Sequence, residues 1–433
     1  MTDKGLSMEP YKGVRDFYPE DMAIFRYITD TMRQTAELFG YEEYGASVLE
    51  PSELYRGKSG DEIVNEQTYT FIDRGEREVT LRPEMTPTVS RMIAAMRRNL
   101  PMPIRWYSIP NLFRYEQPQR GRLREHWQLN CDLFGVNSVE GDAEVILLAS
   151  SIMRAFGLTE TDFVIRVNNR KIMNFIISDY LKLDDSIGKK ISRIIDKKEK
   201  LPVAEFKKMV TSAIGEKDEI LLTLLESKNF EEFVSHLPKN ETLNIALQEM
   251  RTLIESLENK GVRNVQFDQT LMRGFDYYTG IVFEIFDTNP KNRRALFGGG
   301  RYDNLLSAFG VEPLSAVGFG MGDVTMRDVL ETRGLLPKYK NPAYLAIIMA
   351  EQQCLPYASE LTRKLRADNV AVSMDISGKK VGDQIKAADK KGIPFILVIG
   401  DDEVKSGNLK IKELATGVET VISDEKLSAF FKK

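Results

Sequence analysis

The chain has 433 residues, of which 42% are apolar, enough for sizeable cores in two or three domains. Lysine and arginine total 60 against 64 acidic residues, and the net charge of -4 excludes indiscriminate polyanion binding while permitting a local basic surface. Two cysteines, Cys131 and Cys354, and two histidines, His126 and His236, exclude a disulfide framework and a zinc centre built on either residue type.

In chain order, residues 21–39 carry Met22, Phe25, Ile28, Met32, Ala36 and Phe39 near helical spacing, and Gly40 supplies a stop. This predicts an amphipathic helix. Short strands are expected at 68–72 and 78–81, followed by a helix in MTPTVSRMIAAMRRN. LRPEMT sets Glu84 and Thr86 at that strand-to-helix junction, where a carboxylate and a hydroxyl either cap the helix or accept from a substrate ammonium.

FRYEQPQRGRLREHWQ, residues 113–128, crowds Arg114, Arg120, Arg122 and Arg124 around Pro118 and Gly121, between strand-like YSIPNLF and WQLNCDLF. It reads as a hairpin with a basic loop. Alternation along a strand puts Arg114 and Glu116 on one face, and guanidinium forks suit phosphate and carboxylate oxygens. The hairpin is then either a salt-bridged sheet edge or a seat for a phosphate and an amine. His126 is expected to pack within its strand.

Residues 171–243 shift toward Lys, Glu, Ile and Leu in helical periods, a helical insertion. Its run of Lys189, Lys190, Lys197, Lys198 and Lys200 is either a solvated helix face or an RNA contact. NVQFDQTLMRGFDYYTGIVFEIF, residues 264–286, alternates as two strands about a glycine-centred turn, presenting Arg273, Asp276, Tyr277 and Tyr278 where the backbone bends. An arginine there is either a structural ion pair or a fixed guanidinium that stabilises negative charge. FGGGRYDNL from Phe297 reads as a tight turn leading into a helix, and AVGFGMGDVTM follows at Ala316.

Past a polar linker at 335–342, AYLAIIMA, a helix at 357–368, VAVSMD, a lysine-rich helix with Lys379, Lys380, Lys386 and Lys390, and PFILVIG predict a small α/β domain with a partly parallel sheet. No apolar run is long enough to cross a bilayer, and the opening MTDKGLSMEP lacks a signal peptide's apolar core. A cytoplasmic protein with no membrane partner is expected.

The FRxE…GR pattern resembles motif 2 of class II aminoacyl-tRNA synthetases, and LMRGFDYYTG at 271–280 resembles the signature of histidyl-tRNA synthetases. With GVRDFYPED at Gly13, EIVNEQTYTF at Glu62, LRPEMTP at Leu81, GGGRYD at Gly298 and a C-terminal segment like the family's anticodon-binding domain, the similarity extends over nearly the whole chain. It implies an α/β chain with an α+β catalytic domain at 1–332, an antiparallel class II sheet flanked by helices and interrupted by the helical insertion at about 171–243. The anticodon-binding domain is expected at 343–433. The implied reaction joins histidine and Mg2+-bound ATP into histidyl-adenylate, then passes histidine to the 3′ end of tRNA(His), in a homodimer whose interface includes the 21–39 helix.

The resemblance also assigns residues. Arg273 and Arg114 are catalytic, Arg114 binding the α-phosphate and the histidine carboxylate. Glu84, Met85, Thr86 and Gln128 surround the ammonium, while Asp132, Tyr277 and Tyr278 line the side-chain pocket. Glu116 takes the adenine amino group, Arg122 the phosphates, and Gln119 and Arg124 the tRNA acceptor end; no residue is assigned to a protein-bound metal. Five positions depart from the family pattern: Ser47 stands for the motif 1 proline, Asp132 for the usual glutamate, Glu125 for a frequent glutamine, and Val324-Thr325 for the motif 3 Glu-Arg pair. The motif 3 arginine clamps the γ-phosphate and adenine, and Arg327 is expected to replace it. The alternative is the non-catalytic, synthetase-like regulatory subunit of ATP phosphoribosyltransferase, which generally lacks the anticodon domain and degrades the tyrosine signature.

Overall fold

The computed structural model describes residues 6–56, 67–198, 201–272, 277–292 and 294–431. The chain divides into two compact units, Met1–Pro337 and Lys338–Lys433.

The first unit opens with helix α1 (Pro19–Leu38), started by Pro19 with Glu20 and Asp21 in its first turn, where acidic groups complement the helix dipole, and ended at Gly40 with φ +76°. Ile28, Met32 and Ala36 form its buried stripe. The strands are β1 (Glu42–Glu43), β2 (Leu49–Pro51), β3 (Tyr69–Ile72), β4 (Glu78–Leu81), β5 (Ile104–Ser108), β6 (Asn111–Phe113), β7 (Glu125–Phe134), β8 (Phe163–Asn169), β9 (Val265–Phe267), β10 (Ile281–Asp287), β11 (Ala295–Arg301) and β12 (Ala316–Gly322). Among the described residues the main sheet runs β1-β5-β7-β12-β11-β10-β8-β9, with β6 paired to the start of β7. Its interior pairings are antiparallel and only the edge strands β1 and β9 are parallel to their neighbours. Strands β2, β4 and β3 make a separate small sheet.

The helices are α2 (Thr86–Met96), α3 (Val139–Ala155), α4 (Arg170–Asn174), α5 (Asp185–Ile195), α6 (Val203–Ile214), α7 (Asp218–Glu226), α8 (Phe230–Ser235), α9 (Glu241–Asn259) and α10 (Asp323–Thr332). The span of about 171–243 expected as a helical insertion holds most of α4, all of α5 to α8 and only the start of α9, which continues to Asn259. Helix α3 packs between α1 and α9 over one face of the sheet, and the core there takes Leu129, Cys131 and Leu133 from β7. Strand geometry turns the intervening Gln128, Asn130 and Asp132 to the opposite face. That face holds the site.

Two expectations are corrected. The two strands expected in 264–286 are present as β9 and β10 but do not pair with each other, because β8 lies between them, parallel to β9 and antiparallel to β10. Gly298, Gly299 and Gly300 form no turn but extend through β11, where a Cβ on each would collide with a neighbouring strand carbonyl, those of Phe283, Gly318 and Ile281 respectively. Close strand approach, not backbone reversal, demands the glycines.

The second unit comprises β13 (Leu345–Met349), α11 (Leu355–Ala367), β14 (Val372–Met374), α12 (Val381–Lys390), β15 (Phe395–Ile399), α13 (Asp401–Ser406), β16 (Asn408–Glu413), β17 (Glu419–Ser423) and α14 (Asp424–Phe431). Its sheet order is β14-β13-β15-β16-β17, parallel about β13 and antiparallel beyond β15. Alternate β13 residues feed two cores, Leu345 and Ile347 on one face and Ala346 and Ile348 on the other, as a sheet covered on both sides requires. Both cysteines are free and buried.

Candidate active site

A cavity of about 180 Å³ opens on the polar face of β7 and β12, lined by Gln128, Asn130 and Asp132 on one strand and Gly318 and Gly320 on the other. The register places Gly318 opposite Asp132 and Gly320 opposite Asn130. A Cβ at Gly318 would run into the Asp132 carboxylate, and one at Gly320 into the Gln128 amide. Glycine therefore keeps the floor open. Tyr277, Tyr278 and Tyr302 wall the cavity, and Glu84, Thr86 and Arg114 complete it.

Asp132 is 3% exposed, and Tyr302 Oη donates to its Oδ1 at 2.5 Å. Its Oδ2 has no hydrogen-bond partner among the described residues. Burial pushes the acid up to about 7, the Tyr302 bond opposing and the Glu84 charge adding to that rise. Glu84, equally buried, accepts from Tyr277 Oη at 3.0 Å, and Thr86 bonds the same tyrosine. Helix α2 has Met85 at its N-cap position, with no cap bond from that side chain. Met85 itself is fully buried in the apolar cluster with Val89, Ile93 and Tyr302, behind the cavity wall.

Arg114 Nε donates to the Pro83 carbonyl at 2.9 Å, which fixes the guanidinium at the cavity edge. Gln128 Nε2 donates to Asn130 Oδ1 at 2.6 Å, and Asn130 Nδ2 donates back to the Gln128 carbonyl at 2.9 Å. Beyond the cavity the β6–β7 hairpin carries Glu116, whose Oε2 lies 3.5 Å from Arg122 Nη1 yet is buried without a hydrogen bond among the described residues. Gln119 Oε1 accepts from Arg294 Nη2 at 2.9 Å.

Two expected site residues are placed elsewhere. Arg124 is 8% exposed, lies 4.0 Å from the Tyr115 ring centroid and 5.6 Å from that of Tyr11, and donates to the Glu116 carbonyl and Tyr11 Oη. It braces the hairpin against the N-terminal segment. Arg327 Nη2 pairs with Asp21 of α1 at 2.7 Å, on the side of α10 that faces that helix, and does not line the cavity. Thr325 Oγ1 donates to the carbonyls of Leu296 and Gly322 at 3.0 and 3.1 Å. Arg273 and Asp276 lie outside the described residues, as does the 62–66 part of EIVNEQTYTF.

Tyr302 and Asn130 were missed from the sequence. Asn130 was legible in principle, since it alternates with Gln128 and Asp132 on β7. Tyr302 has no comparable local signal. In the insertion, Lys189, Lys190, Arg193 and Lys197 line one concave face around α5, whereas Lys198 turns inward to the Leu225 carbonyl.

An antiparallel sheet bearing a polar cavity beside a basic hairpin, with a separate α/β unit after it, is the architecture of a class II aminoacyl-tRNA synthetase. A family model described as Histidyl-tRNA synthetase matches residues 13–323, and one described as Anticodon binding domain matches residues 344–433. The chain is 42% identical over 426 residues to a histidine–tRNA ligase of Leptospira biflexa, covering 96% of this chain and 95% of that protein. It is 36% identical to the histidine–tRNA ligase of Thermoplasma volcanium over 99% of each chain. A crystal structure of histidyl-tRNA synthetase from a Nostoc species shares the fold with a TM-score of 0.83 over 99% of both chains at 24% identity. The chain belongs to the histidyl-tRNA synthetase family and is an aminoacyl-tRNA synthetase. The regulatory-subunit alternative is not favoured, because the curated ligases match nearly end to end and the anticodon-binding segment is present.

Proposed function

We propose that this chain is an ATP-dependent histidine–tRNA ligase whose imidazole site is the Asp132–Tyr302 end of the cavity. The supporting observation is Asp132 Oδ2, a buried acceptor aimed into the cavity with no protein donor among the described residues. A substrate imidazole N–H satisfies it, and side chains without such a donor leave it unpaired, which is how a polar pocket discriminates. The α-ammonium is then met by Glu84, Thr86 and Gln128, with Tyr277 orienting Glu84, and the carboxylate turns toward Arg114.

The residues around the hairpin fit a nucleotide. Arg114 and Arg122 suit its phosphates, and the buried Glu116 Oε2 suits the exocyclic amine of adenine. Mg2+ is taken to accompany the nucleotide, whose phosphate charge it would neutralise. In the activation step the histidine carboxylate attacks the α-phosphorus and pyrophosphate leaves. Arg114 holds both reactants in line, and Arg273 by family position stabilises the charge at phosphorus. In the transfer step the terminal 3′-hydroxyl of tRNA(His) attacks the acyl carbon, the acyl–phosphate bond breaks and AMP leaves with the hydroxyl proton, with Gln119 of the hairpin serving the acceptor end and the second unit the anticodon. Arg124 and Arg327 are spent on internal contacts and take no part. The reading includes a cytoplasmic setting and a homodimer whose interface takes in the 21–39 helix.

The test is pyrophosphate exchange into ATP with each proteinogenic amino acid in the absence of tRNA. Exchange with histidine alone is expected. No exchange with any amino acid would return the chain to the regulatory-subunit reading.

A further inference from the structure

The polar faces of β7 and β12 do not end at the cavity. On β7, His126 continues the series Asp132, Asn130, Gln128, and on β12 Gly322 continues Gly318 and Gly320. At about 3.3 Å per residue, the stretch from Asp132 to His126 spans about 20 Å, well beyond what a histidine occupies. A nucleotide lying past the histidine carboxylate extends toward that far end.

At that end, Asp323 follows Gly322 and is 3% exposed. Its Oδ1 accepts from the Trp127 backbone N–H at 2.9 Å, and its Oδ2 from Arg15 Nη2 at 2.7 Å. Arg15 reaches this point from the N-terminal segment, with its guanidinium 4.9 Å from the Phe17 ring centroid and its side chain 19% exposed. Its Nε is buried and has no hydrogen-bond partner among the described residues. A guanidinium anchored through one nitrogen, with a buried donor to spare, is built to take a second anion. Of the other cations nearby, Arg120 faces Asp328 at 3.7 Å and Arg327 pairs with Asp21, while Arg122 stays with the hairpin, 3.5 Å from Glu116. Helix α10 offers only Thr325 where its first turn meets the groove, and the Thr325 hydroxyl is used by two carbonyls.

We propose that Arg15, oriented by Asp323, binds the β- and γ-phosphates of ATP and supplies the cation that α10 lacks at Thr325. The inference rests on the reading that ATP lies along β7 and β12. His126 supports it independently of any ligand: this half-buried imidazole has its acid pushed down to about 3, by desolvation first and then by Arg114 and Arg15 acting together. Both guanidiniums thus project their field onto the same stretch of β7. Asp323 is a positioning residue here, and Arg15 touches the substrate.

The experiment is pyrophosphate exchange by the full chain at saturating histidine, with ATP varied, for Arg15→Gln, Arg15→Lys, Arg114→Gln and the double variant Arg15→Gln/Thr325→Arg. Arg15→Gln should raise the ATP KM about tenfold or more while the histidine KM stays within about twofold, since a charged hydrogen bond to phosphate is lost. Arg15→Lys should fall between, and the double variant should recover most of the loss. A merely structural ion pair predicts the opposite, because an arginine at 325 cannot re-anchor the N-terminal segment. An ATP KM unchanged in Arg15→Gln overturns the assignment, and so does a defect that Thr325→Arg leaves untouched. Should Arg15→Gln not fold, an Arg15→Lys protein of wild-type ATP KM overturns it equally. If Arg114→Gln is also silent toward ATP, the placement of ATP along the groove fails instead.

Discussion

Tyr302 Oη donates to Oδ1 of Asp132 across 2.5 Å, and the second oxygen of the same carboxylate has no hydrogen-bond partner among the described residues. The two oxygens therefore have different duties. One is locked by the protein, which fixes the plane of the carboxylate, and the other is reserved for a donor arriving from outside. Phe134 packs edge-on to Tyr302 with ring centroids 6.1 Å apart and holds the tyrosine in turn.

Asp132 should make histidine binding pH-dependent near neutrality. Its acid lies at about 7, so the ionised carboxylate that accepts from the imidazole forms as the pH rises through that value. Histidine affinity measured by calorimetry should strengthen through about pH 7, and Asp132→Asn should weaken it about tenfold or more while blunting that limb. The stability sign is the reverse of a salt-bridged carboxylate. A folded-state value raised above the unfolded one favours the fold when protonated, so the contribution of Asp132 is lost as the pH climbs from about 4 to about 7. Free Asp132→Asn protein should lose less thermal stability over that range than the wild type.

His126 should act in the other direction. Its folded-state value is about 3 against an unfolded value of 6.5, so the fold favours the neutral ring and is penalised as the pH falls from about 6.5 toward about 3. Denaturation midpoints at pH 7 and 4.5 should therefore converge in His126→Asn relative to wild type. A group that stays neutral throughout the working range also contributes no limb to the exchange rate between pH 6 and 9. A His126→Asn variant whose pH profile loses a limb there would contradict this.

Gly318 and Gly320 should respond differently to alanine, although they are two residues apart on one strand. At Gly320 the new Cβ meets only the end of the Gln128 side chain, which can swing away at the expense of its bond to Asn130. Gly320→Ala should raise the histidine KM about tenfold with little change in melting temperature. At Gly318 the obstruction includes the Cys131 carbonyl at 2.6 Å as well as the Asp132 carboxylate, so two paired strands must shift. Gly318→Ala should abolish histidine binding and cost about 1–3 kcal/mol of stability, read from denaturant titrations.

Much of this site was legible because local pattern and position coincide. The alternation on β7 separates Leu129, Cys131 and Leu133 from Gln128, Asn130 and Asp132, and the helix from Pro19 shows its buried stripe in the sequence. What escaped depends on partners far away in the chain. Strand β8 enters between β9 and β10 from about a hundred residues upstream, so a segment that alternates like a hairpin is not one. Arg124 reads as a loop cation until Tyr11 and Tyr115 are seen around it, and Arg327 reads as a spare cation until Asp21 is seen beside it. The glycines of β11 resemble a turn because sequence shows that a side chain is missing but not which carbonyl excludes it.

The pair Asp142–Arg301 ties this inner face to the fold and should be costly to break. Arg301 Nε and Nη2 meet the Asp142 carboxylate at 3.1 and 2.5 Å, with side chains 7 and 1% exposed, and the remaining guanidinium donors reach the carbonyls of Val136 and Ser138. Asp142→Ala leaves the buried guanidinium only its longer 3.5 Å pairing with Asp303, which should cost about 3 kcal/mol, whereas removing the exposed Arg363–Glu360 pair should change stability little. The effect should also reach the substrate. The Arg301 carbonyl accepts from the Thr279 backbone N–H at 2.8 Å, and its side chain packs on Gly280, so this arginine anchors the chain immediately after Tyr277 and Tyr278. In Asp142→Asn, which keeps the shape and part of the hydrogen bonding, the protein should remain folded but bind histidine more weakly as the tyrosine wall loosens. Calorimetry of histidine binding on that variant, beside its denaturation curve, separates the two effects; unchanged affinity would confine Arg301 to a stabilising role.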